Sequence, residues 1–311
     1  MVNRIVGTMG GTLPGPLVVV TAALHGNEPA GVQALEAIFN LLESENIIGF
    51  KGRFIGLIGN VQAYATHSRF MLRDFNRVWR MDLLAELLAQ HESHLQGEDL
   101  EFVQLYNTIC REVEASKPKK ILFLDLHTTS AGGGLFCIPT DEGESLAWAK
   151  LLQAPVVLGL YDQVDGTLLR FGVSGYFSNN TAVVPTLGVA FEAGQHEHPD
   201  AVVRSIAAIL KTLEYAGCLP DVGEGFLEST GLQRPQTPPP LITRLVTAHH
   251  INPGDGFVMR PGYVNFQPVL EGEHLADDAN GPIVAPFTGM ILMPLYQSQG
   301  SDGFFLVRSA E

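Results

Sequence analysis

Residues 17–24, which read LVVVTAAL, decide the fold, and the polar loop HGNE at residues 25–28 follows them directly. An uninterrupted apolar run rich in valine is typical of a strand that is covered on both faces, as in the sheet of an α/β protein. Pro29 then stands where a first helical residue would stand, and residues 30–42 carry apolar side chains at helical spacing. The segment therefore predicts a buried strand, a short loop and an amphipathic helix.

The same alternation of apolar runs and amphipathic stretches continues to about residue 216. It predicts further strands at residues 54–58, 121–126, 155–160 and 189–191. It also predicts helices at residues 82–95, at residues 100–115, and from a cap at Asp200 to Tyr215. Strands and helices that alternate in this way pack as layers, so the sequence predicts an α/β fold for this part of the chain.

The composition changes after residue 216. Residues 217–240 are rich in glycine and proline and end in PQTPPP, which is typical of a linker. Residues 241–311 have short apolar runs separated by glycine and proline and no good helical pattern, which indicates a small all-β domain. We therefore predict an α/β domain at residues 1–216, a linker, and a small C-terminal β domain.

The charge and the cysteine content argue against several classes of function. The 311 residues carry 19 Lys+Arg against 33 Asp+Glu, a net charge of -14, which disfavours binding to nucleic acid or to anionic membranes. No apolar run reaches the ~18 residues of a membrane-spanning helix, and the start lacks the pattern of a signal peptide. Cys110, Cys137 and Cys218 are widely spaced without a CxxC pattern, so we expect free thiols and a cytoplasmic protein.

Three residues that suit a metal ion follow predicted strands. His25 and Glu28 lie directly after the first strand, and His127 comes directly after a later one. Ligand sites in open α/β sheets form beyond the carboxyl ends of the strands. Two histidines and one glutamate are a known ligand set of catalytic zinc, which leaves a fourth position for water or substrate. The alternative is that both histidines make ordinary hydrogen bonds in loops.

Two further carboxylates stand near strand ends. Asp125 precedes His127 by two positions, so both would point to the same side of a strand, and the carboxylate could orient a metal-bound imidazole or serve a turn. Glu192 ends a predicted apolar strand, where a carboxylate is costly to bury unless it is paired or functional. If Glu192 is buried, its pKa would rise toward neutral pH, which suits a general base. If its side chain reaches solvent instead, it would be an ordinary residue at the end of a strand.

An arginine-rich segment, RFMLRDFNR, follows the second predicted strand. It places Arg69, Arg73 and Arg77 within nine residues, together with an aspartate and an asparagine. Arginine binds carboxylates through two parallel hydrogen bonds, and asparagine adds a directional donor and acceptor. The segment therefore either lines a pocket for an anionic substrate or is a loop that is tied down by Arg–Asp pairs.

Four motifs in order, HGNEPAG at residues 25–31, RDFNR at 73–77, DLHTT at 125–129 and FEAG at 191–194, resemble the succinylglutamate desuccinylase/aspartoacylase family. The resemblance covers nearly the whole chain and implies the zinc carboxypeptidase-like fold, a mixed twisted sheet flanked by helices with a small C-terminal all-β domain. It also implies a zinc-dependent hydrolase with one zinc ion. Such an enzyme would cleave the amide bond of an N-acyl amino acid or a similar small carboxylate-bearing amide.

The resemblance implies catalytic roles for individual residues. His25, Glu28 and His127 would hold the zinc ion. Glu192 would be the general base that takes a proton from the attacking water and later protonates the leaving amine. Arg69 would stabilise the oxyanion together with the zinc ion.

Substrate binding is implied for a second group of residues. Asn76 and Arg77 match the pair that holds a substrate carboxylate, and Arg73 lies in the same motif. Tyr296 falls where aspartoacylases place a tyrosine of the C-terminal domain, so we expect the β domain to contribute to the mouth of the site. The family's second substrate arginine has no counterpart about ten residues before the general base, and Arg170 is the candidate that would replace it.

Two other functions are compatible with the same residues. A carboxypeptidase-like metallopeptidase would use the same metal site on the end of a peptide, and a non-catalytic metal-binding protein would keep the fold without the reaction. The leading hypothesis implies a small-molecule substrate as the partner, not nucleic acid or a membrane. The sequence leaves open the acyl group, the amine and whether the chain forms a homo-oligomer.

Overall fold

A computed structural model of the chain describes residues 2–10, 13–44, 49–178, 184–219, 241–252 and 254–310. Nearly all of the predicted linker lies outside the described residues. Residues 179–182 also lie outside them; this is the stretch in which the sequence lacks the family's second substrate-binding arginine. Within the described ranges, no helix combines the length and the apolar character that a membrane crossing requires.

The first part of the chain alternates strands and helices, as the apolar pattern predicts. Its strands are β1 (Ile5–Gly10), β2 (Leu13–Ala22), β3 (Lys51–Ile58), β4 (Ile121–Thr129), β5 (Phe136–Pro139), β6 (Val156–Leu158) and β7 (Thr186–Gln195). Its helices are α1 (Ala30–Ser44), α2 (Val61–Ala65), α3 (Met81–Leu88), α4 (Gly97–Ser116), α5 (Glu144–Leu151), α6 (Leu168–Val173) and α7 (Ala201–Tyr215).

The centre of the sheet consists of β3, β2, β4 and β7, which pair in parallel in this order. Side chains of β2 alternate between two buried clusters. Val18 and Val20 belong to the cluster that includes α1 and α7, whereas Leu17 and Val19 belong to the cluster that includes α3 and α4. All four side chains are fully buried. The prediction of a strand that is covered on both faces is therefore confirmed.

The C-terminal part is built of strands, and most of them extend the main sheet. They are β8 (Ile242–His250), β9 (Val258–Met259), β10 (Gln267–Val269), β11 (His274–Asp278), β12 (Gly281–Val284), β13 (Gly289–Leu292) and β14 (Asp302–Ser309). Because β6 pairs in parallel with β8, eleven strands of the described residues form one mixed sheet, while β9, β11 and β12 form a separate small sheet. The predicted fold class is confirmed, and the division into two domains stays a prediction.

Several predicted features differ from the structure. The helix predicted at residues 82–95 is too long, because α3 ends at Leu88 and the polar residues Glu92–His94 form an exposed 3-10 turn. The strand predicted to reach residue 160 ends at Leu158, since Gly159 adopts a left-handed φ of 78° and begins a turn. Asp200 precedes α7, but its side chain makes no capping hydrogen bond.

Candidate metal centre

The parallel pairing of β2 with β4 brings the three predicted metal ligands together. Ala22, at the end of β2, lies opposite Leu126 in β4, so the loop that carries His25 and Glu28 begins beside His127. One donor atom from each of these three side chains lies within 4.8 Å of the other two, and all three side chains are buried. His127 lies inside β4 rather than beyond its end, because the strand continues past it.

The loop sequence HGNEPAG suits this place because two of its residues pack too closely to carry a side chain. A Cβ atom at Gly26 would lie 2.1 Å from the carbonyl carbon of Ala63 in α2. A Cβ atom at Gly31 would lie 2.8 Å from the Cβ of Ala22, so α1 packs directly on β2. The Gly26 N–H also donates to the Arg69 carbonyl at 3.1 Å, which joins the two loops of the site.

Carboxylates hold both imidazole rings in defined orientations. Glu28 lies between the rings, with Oε1 at 2.9 Å from His25 Nδ1 and Oε2 at 3.0 Å from His127 Nδ1. The outer nitrogens face aspartates, since His25 Nε2 lies 3.1 Å from Asp74 Oδ1 and His127 Nε2 lies 2.9 Å from Asp125 Oδ2. A carboxylate behind each histidine is the arrangement that orients zinc-binding imidazoles. The sequence indicated this role for Asp125 but not for Asp74.

The charges of this centre depend on one another. Burial alone would raise the pKa of Glu28, but the neighbouring His25 and His127 rings outweigh it and hold that pKa well below its usual range. Burial would lower the pKa of His127, but Asp125 and Glu28 outweigh it and raise that pKa well above its usual value. The Thr128 N–H also donates to Glu28 Oε2 at 3.0 Å. Glu28 is therefore held as an anion, the state in which a carboxylate binds metals.

Glu192 lies beside the candidate metal ligands because β7 pairs with β4. Its position in β7 is opposite His127, the candidate ligand in the neighbouring strand. The side chain is 7% exposed, and its Oε2 atom has no hydrogen-bond partner among the described residues. Burial raises the pKa of Glu192 to about 7, which lies in the range of a general base at neutral pH.

Arg69 faces the same centre from the other side. Its Nη2 atom donates to Asp74 Oδ2 at 2.9 Å, and its Nη1 atom lies 3.7 Å from Glu28 Oε1. The Nε atom is buried and has no partner within the described part of the chain. Arg69 thus lines the cavity and has one N–H donor without a partner among the described residues.

The segment after Arg69 is anchored by Glu98, a buried carboxylate in the first turn of α4. Glu98 accepts hydrogen bonds from three consecutive backbone N–H groups, those of Met71 (2.6 Å), Leu72 (2.8 Å) and Arg73 (3.1 Å). It also accepts one from the side-chain amide of Asn60 (2.9 Å). The sequence pattern does not mark Glu98, because the helix predicted from residue 100 begins three residues after the start of α4. Nothing local in the sequence connects it with residues 71–73.

One cavity lies beside the candidate metal centre, and residues of both the α/β part and the C-terminal part line it. Its wall includes the candidate metal ligands, Arg69, Glu192, Asn76 and Arg77. The C-terminal part contributes residues from the end of β13 to β14, namely Met293, Leu295, Gln297, Gly300, Ser301, Asp302 and Phe305. Gln297 also accepts a hydrogen bond at 3.1 Å from Asn27 in the loop of the metal ligands.

Comparison with known proteins identifies the family. The model of the succinylglutamate desuccinylase/aspartoacylase catalytic domain matches residues 14–213, more than half of the chain. The chain belongs to the succinylglutamate desuccinylase/aspartoacylase family. The resemblance carried by the four motifs is thereby confirmed.

Individual relatives of this family member match it over part of their length. A succinylglutamate desuccinylase from Yersinia enterocolitica is 26% identical over 212 residues, which are 65% of this chain and 60% of that protein. A protein named probable aspartoacylase from Prochlorococcus marinus is 33% identical over 150 residues, 48% of this chain and 46% of that protein. The matches thus span less than two thirds of either relative.

A solved structure extends the likeness to the whole fold. The crystal structure of a succinylglutamate desuccinylase from Vibrio cholerae superposes with a TM-score of 0.65 at 17% identity. The superposition covers 96% of this chain and 82% of that one, so it includes the C-terminal strands. At this level of identity the likeness concerns the fold alone.

In this family member, two of the residues with an implied role in substrate binding, Asn76 and Arg77, already make hydrogen bonds within the protein. Asn76 Oδ1 accepts a hydrogen bond at 3.0 Å from the Leu168 N–H at the start of α6. Arg77 donates through Nη2 to Asp302 Oδ2 at 2.5 Å and through Nη1 to the Asn76 carbonyl at 2.8 Å. Burial would lower the pKa of Arg77, but Asp74 and Asp302 outweigh it and raise that pKa. Arg77 therefore stays charged inside the cavity.

Three other predicted substrate residues are not among the side chains that line the cavity. Arg73 is half-exposed and pairs with Asp99 at 2.7 Å. Arg170 is half-exposed and donates to the Tyr161 carbonyl. Tyr296 packs within the C-terminal part, where its hydroxyl donates to the Arg260 carbonyl and accepts from the Tyr263 N–H.

Proposed function

We propose that this protein is a zinc-dependent amidohydrolase that removes the acyl group from an N-acyl amino acid or a similar small carboxylate-bearing amide. The main support is that donor atoms of two histidines and one glutamate lie within 4.8 Å of one another. Glu192 lies opposite one of these histidines, His127, in the adjacent strand. Membership of a family whose relatives are named desuccinylase and aspartoacylase supports an acyl-amide substrate.

The residues present fit a zinc ion. His25, Glu28 and His127 supply two imidazole nitrogens and one carboxylate, and Asp74 and Asp125 orient the two rings. When bound there, zinc would lower the pKa of a water molecule and polarise a carbonyl group. The donor set leaves a coordination position for that chemistry.

The surrounding side chains would carry the proton and the developing charge. Glu192 would take a proton from water as the water oxygen bonds to the amide carbon, and it would give that proton to the amine nitrogen as the C–N bond breaks. Arg69 would donate from its unpartnered Nε to the carbonyl oxygen as negative charge forms there. Asn76 and Arg77, which also line the cavity, would hold the substrate carboxylate.

Metal analysis and amide hydrolysis by the purified protein test this proposal. We expect one zinc ion per chain, release of amine from a panel of N-acyl amino acids, loss of activity with a chelator and recovery with zinc. Glu192→Gln should retain zinc and lower kcat by about 10²-fold or more. His127→Ala should lose zinc and activity together.

Two outcomes would contradict parts of the proposal. Absence of stoichiometric zinc with unchanged activity in His127→Ala would reject the metal centre. A near-normal kcat in Glu192→Gln would reject the general base alone. Short peptides in the same panel separate this function from a carboxypeptidase-like one, and zinc binding without any hydrolysis would indicate a non-catalytic protein.

A further inference from the structure

The charged side chains that face the cavity indicate which class of substrate it accepts. This inference rests on the proposed function. Each arginine of the segment from Arg69 to Arg77 pairs with an aspartate. The pairs are Arg69–Asp74 at 2.9 Å, Arg73–Asp99 at 2.7 Å and Arg77–Asp302 at 2.5 Å. The described residues that line the cavity include no lysine and no arginine besides Arg69 and Arg77. The cavity therefore lacks an unpaired cationic side chain among these residues.

Asp302 is placed to control this end of the cavity. It is the first residue of β14 and lies opposite His250 in the strand pairing. Its Oδ2 atom accepts from Arg77, its Oδ1 atom lies 2.7 Å from His250 Nδ1, and its side chain is only 11% exposed. Contacts at both oxygens hold the carboxylate in place. Asp302 is thus a fixed negative charge in the wall of the cavity.

Arg77 keeps the capacity for one substrate carboxylate. A guanidinium group has five N–H donors, and the contacts of Arg77 with Asp302 and with the Asn76 carbonyl use two of them. A single carboxylate can therefore bind to Arg77 beside Asp302. Arg69 is less available for a second one, because it faces both Asp74 and Glu28.

Apart from the candidate metal ligands, Glu192, Arg69, Arg77 and Asp302, the described residues of the wall are uncharged. They include the apolar side chains Ile138, Leu160, Val164, Met293 and Phe305 and the polar side chains Tyr161, Thr167 and Gln297. A second carboxylate against such a surface would lose its hydration without gaining a cation. It would also be repelled by Asp302.

We propose that Asp302 restricts this enzyme to amides with one carboxylate, namely N-acyl derivatives of amino acids whose side chain and acyl group are uncharged. The carboxylate binds to Arg77 beside Asp302, and the uncharged side chain packs against the apolar wall. Substrates with a second carboxylate are rejected because Asp302 repels them and no free cationic side chain among the described wall residues receives them.

Two substrates that differ by one charge test this inference. N-acetylglutamine and N-acetylglutamate have nearly the same shape, and both carry the carboxylate that Arg77 would bind. We expect the zinc-loaded full chain to prefer N-acetylglutamine in kcat/KM by about tenfold or more, since like charges in a confined site repel. Asp302→Asn should reduce this preference by raising kcat/KM for N-acetylglutamate.

Asp82→Asn is the matched control. It removes the same charge from an aspartate whose side chain is 77% exposed and which is not among the residues lining the cavity. The ratio of the two kcat/KM values should stay at the wild-type value, which shows that net charge alone does not set the preference. The pair N-acetylasparagine and N-acetylaspartate repeats the comparison in the wild-type chain and does not depend on the folding of any variant.

The outcomes separate this inference from the proposed function. Wild-type turnover with a preference for the acidic member of either pair overturns the role of Asp302 and leaves the amidohydrolase intact. An unchanged ratio in Asp302→Asn also overturns it. Absence of hydrolysis by the wild-type chain on every N-acyl amino acid contradicts the proposed function and this inference with it.

Discussion

The carboxylates of the cavity differ in the groups that they contact, and this difference supports the role proposed for each of them. Glu28 lies between two imidazole rings, and Asp125 lies behind one of them. Glu192 Oε2 has no hydrogen-bond partner among the described residues, and burial raises its pKa. A carboxylate that is held by partners can orient a ligand, whereas one without partners can exchange a proton.

At this scale we predict that Asp125 sets the affinity for zinc. Asp125→Asn leaves a side chain of similar size but removes the charge that faces His127 Nε2. We expect the affinity for zinc to fall by about 10–100-fold, because outer partners of zinc-binding histidines contribute this much. Competition with a chelator of known affinity measures it.

Asp99→Asn is the control for this measurement. Asp99 pairs with Arg73 and is not among the residues lining the cavity, so its loss should leave zinc affinity unchanged. Equal zinc affinity in Asp125→Asn and the wild-type chain would show that Asp125 only stabilises the strand.

At the scale of elements, helix α4 positions the segment that carries Arg69. Two buried glutamates one helical turn apart accept hydrogen bonds from backbone N–H groups of different segments. Glu98 accepts from residues 71–73, whereas Glu101 accepts from Val61 and Gln62 at the start of α2. We therefore predict that Glu98 is a positioning residue for Arg69, and Glu101 is its matched control.

We predict that Glu98→Gln lowers kcat by about tenfold with little change in KM. The amide cannot satisfy three N–H donors with a full negative charge, so the segment shifts and Arg69 loses its alignment with the developing charge. In an Arg69→Ala background, Glu98→Gln should have almost no further effect on kcat. Steady-state kinetics of the four variants measure this coupling.

Glu101→Gln separates a positioning role from a purely structural one. It also removes a buried charge from α4, so it should destabilise the fold without the kinetic coupling to Arg69. Additive effects of Glu98→Gln and Arg69→Ala on kcat would contradict the positioning role.

At the scale of the whole molecule, the two predicted domains share one of the buried clusters. Buried side chains of the C-terminal strands, including Leu292, Phe305 and Val307, belong to the same cluster as Trp79 and Phe123 of the first part. The cavity also receives residues from both parts. We infer that the parts unfold together, although the composition change predicts a boundary.

Phe305→Ala tests this inference through the tryptophans. Both tryptophans, Trp79 and Trp148, lie in the first part of the chain. If the core is shared, Phe305→Ala should lower the free energy of unfolding seen by tryptophan fluorescence by about 3–5 kcal/mol. Val258→Ala, at a side chain that is 63% exposed, should change it by less than about 0.5 kcal/mol. An unchanged fluorescence transition in Phe305→Ala would indicate independent domains.

Much of the fold could be predicted from local pattern because buried strands and amphipathic helices leave periodic signals. The first strand and α1 were predicted within a few residues, and α7 was predicted to the residue at its end. Short or partly exposed elements such as β1 and α2 were missed, since they lack a long apolar run. The continuation of the sheet from β6 into β8 left no local signal at all.

The sequence by itself determined the alternation of strands and helices and the position of the candidate ligands after apolar strands, because both depend on residues close together in the chain. Only the tertiary structure decided how the arginines are used. Asp302 meets Arg77 across 225 residues of sequence, and Asp74 reaches His25 across 49. Such contacts depend on how strands from distant segments pair, and for this reason the charge of the cavity is a property of the folded molecule.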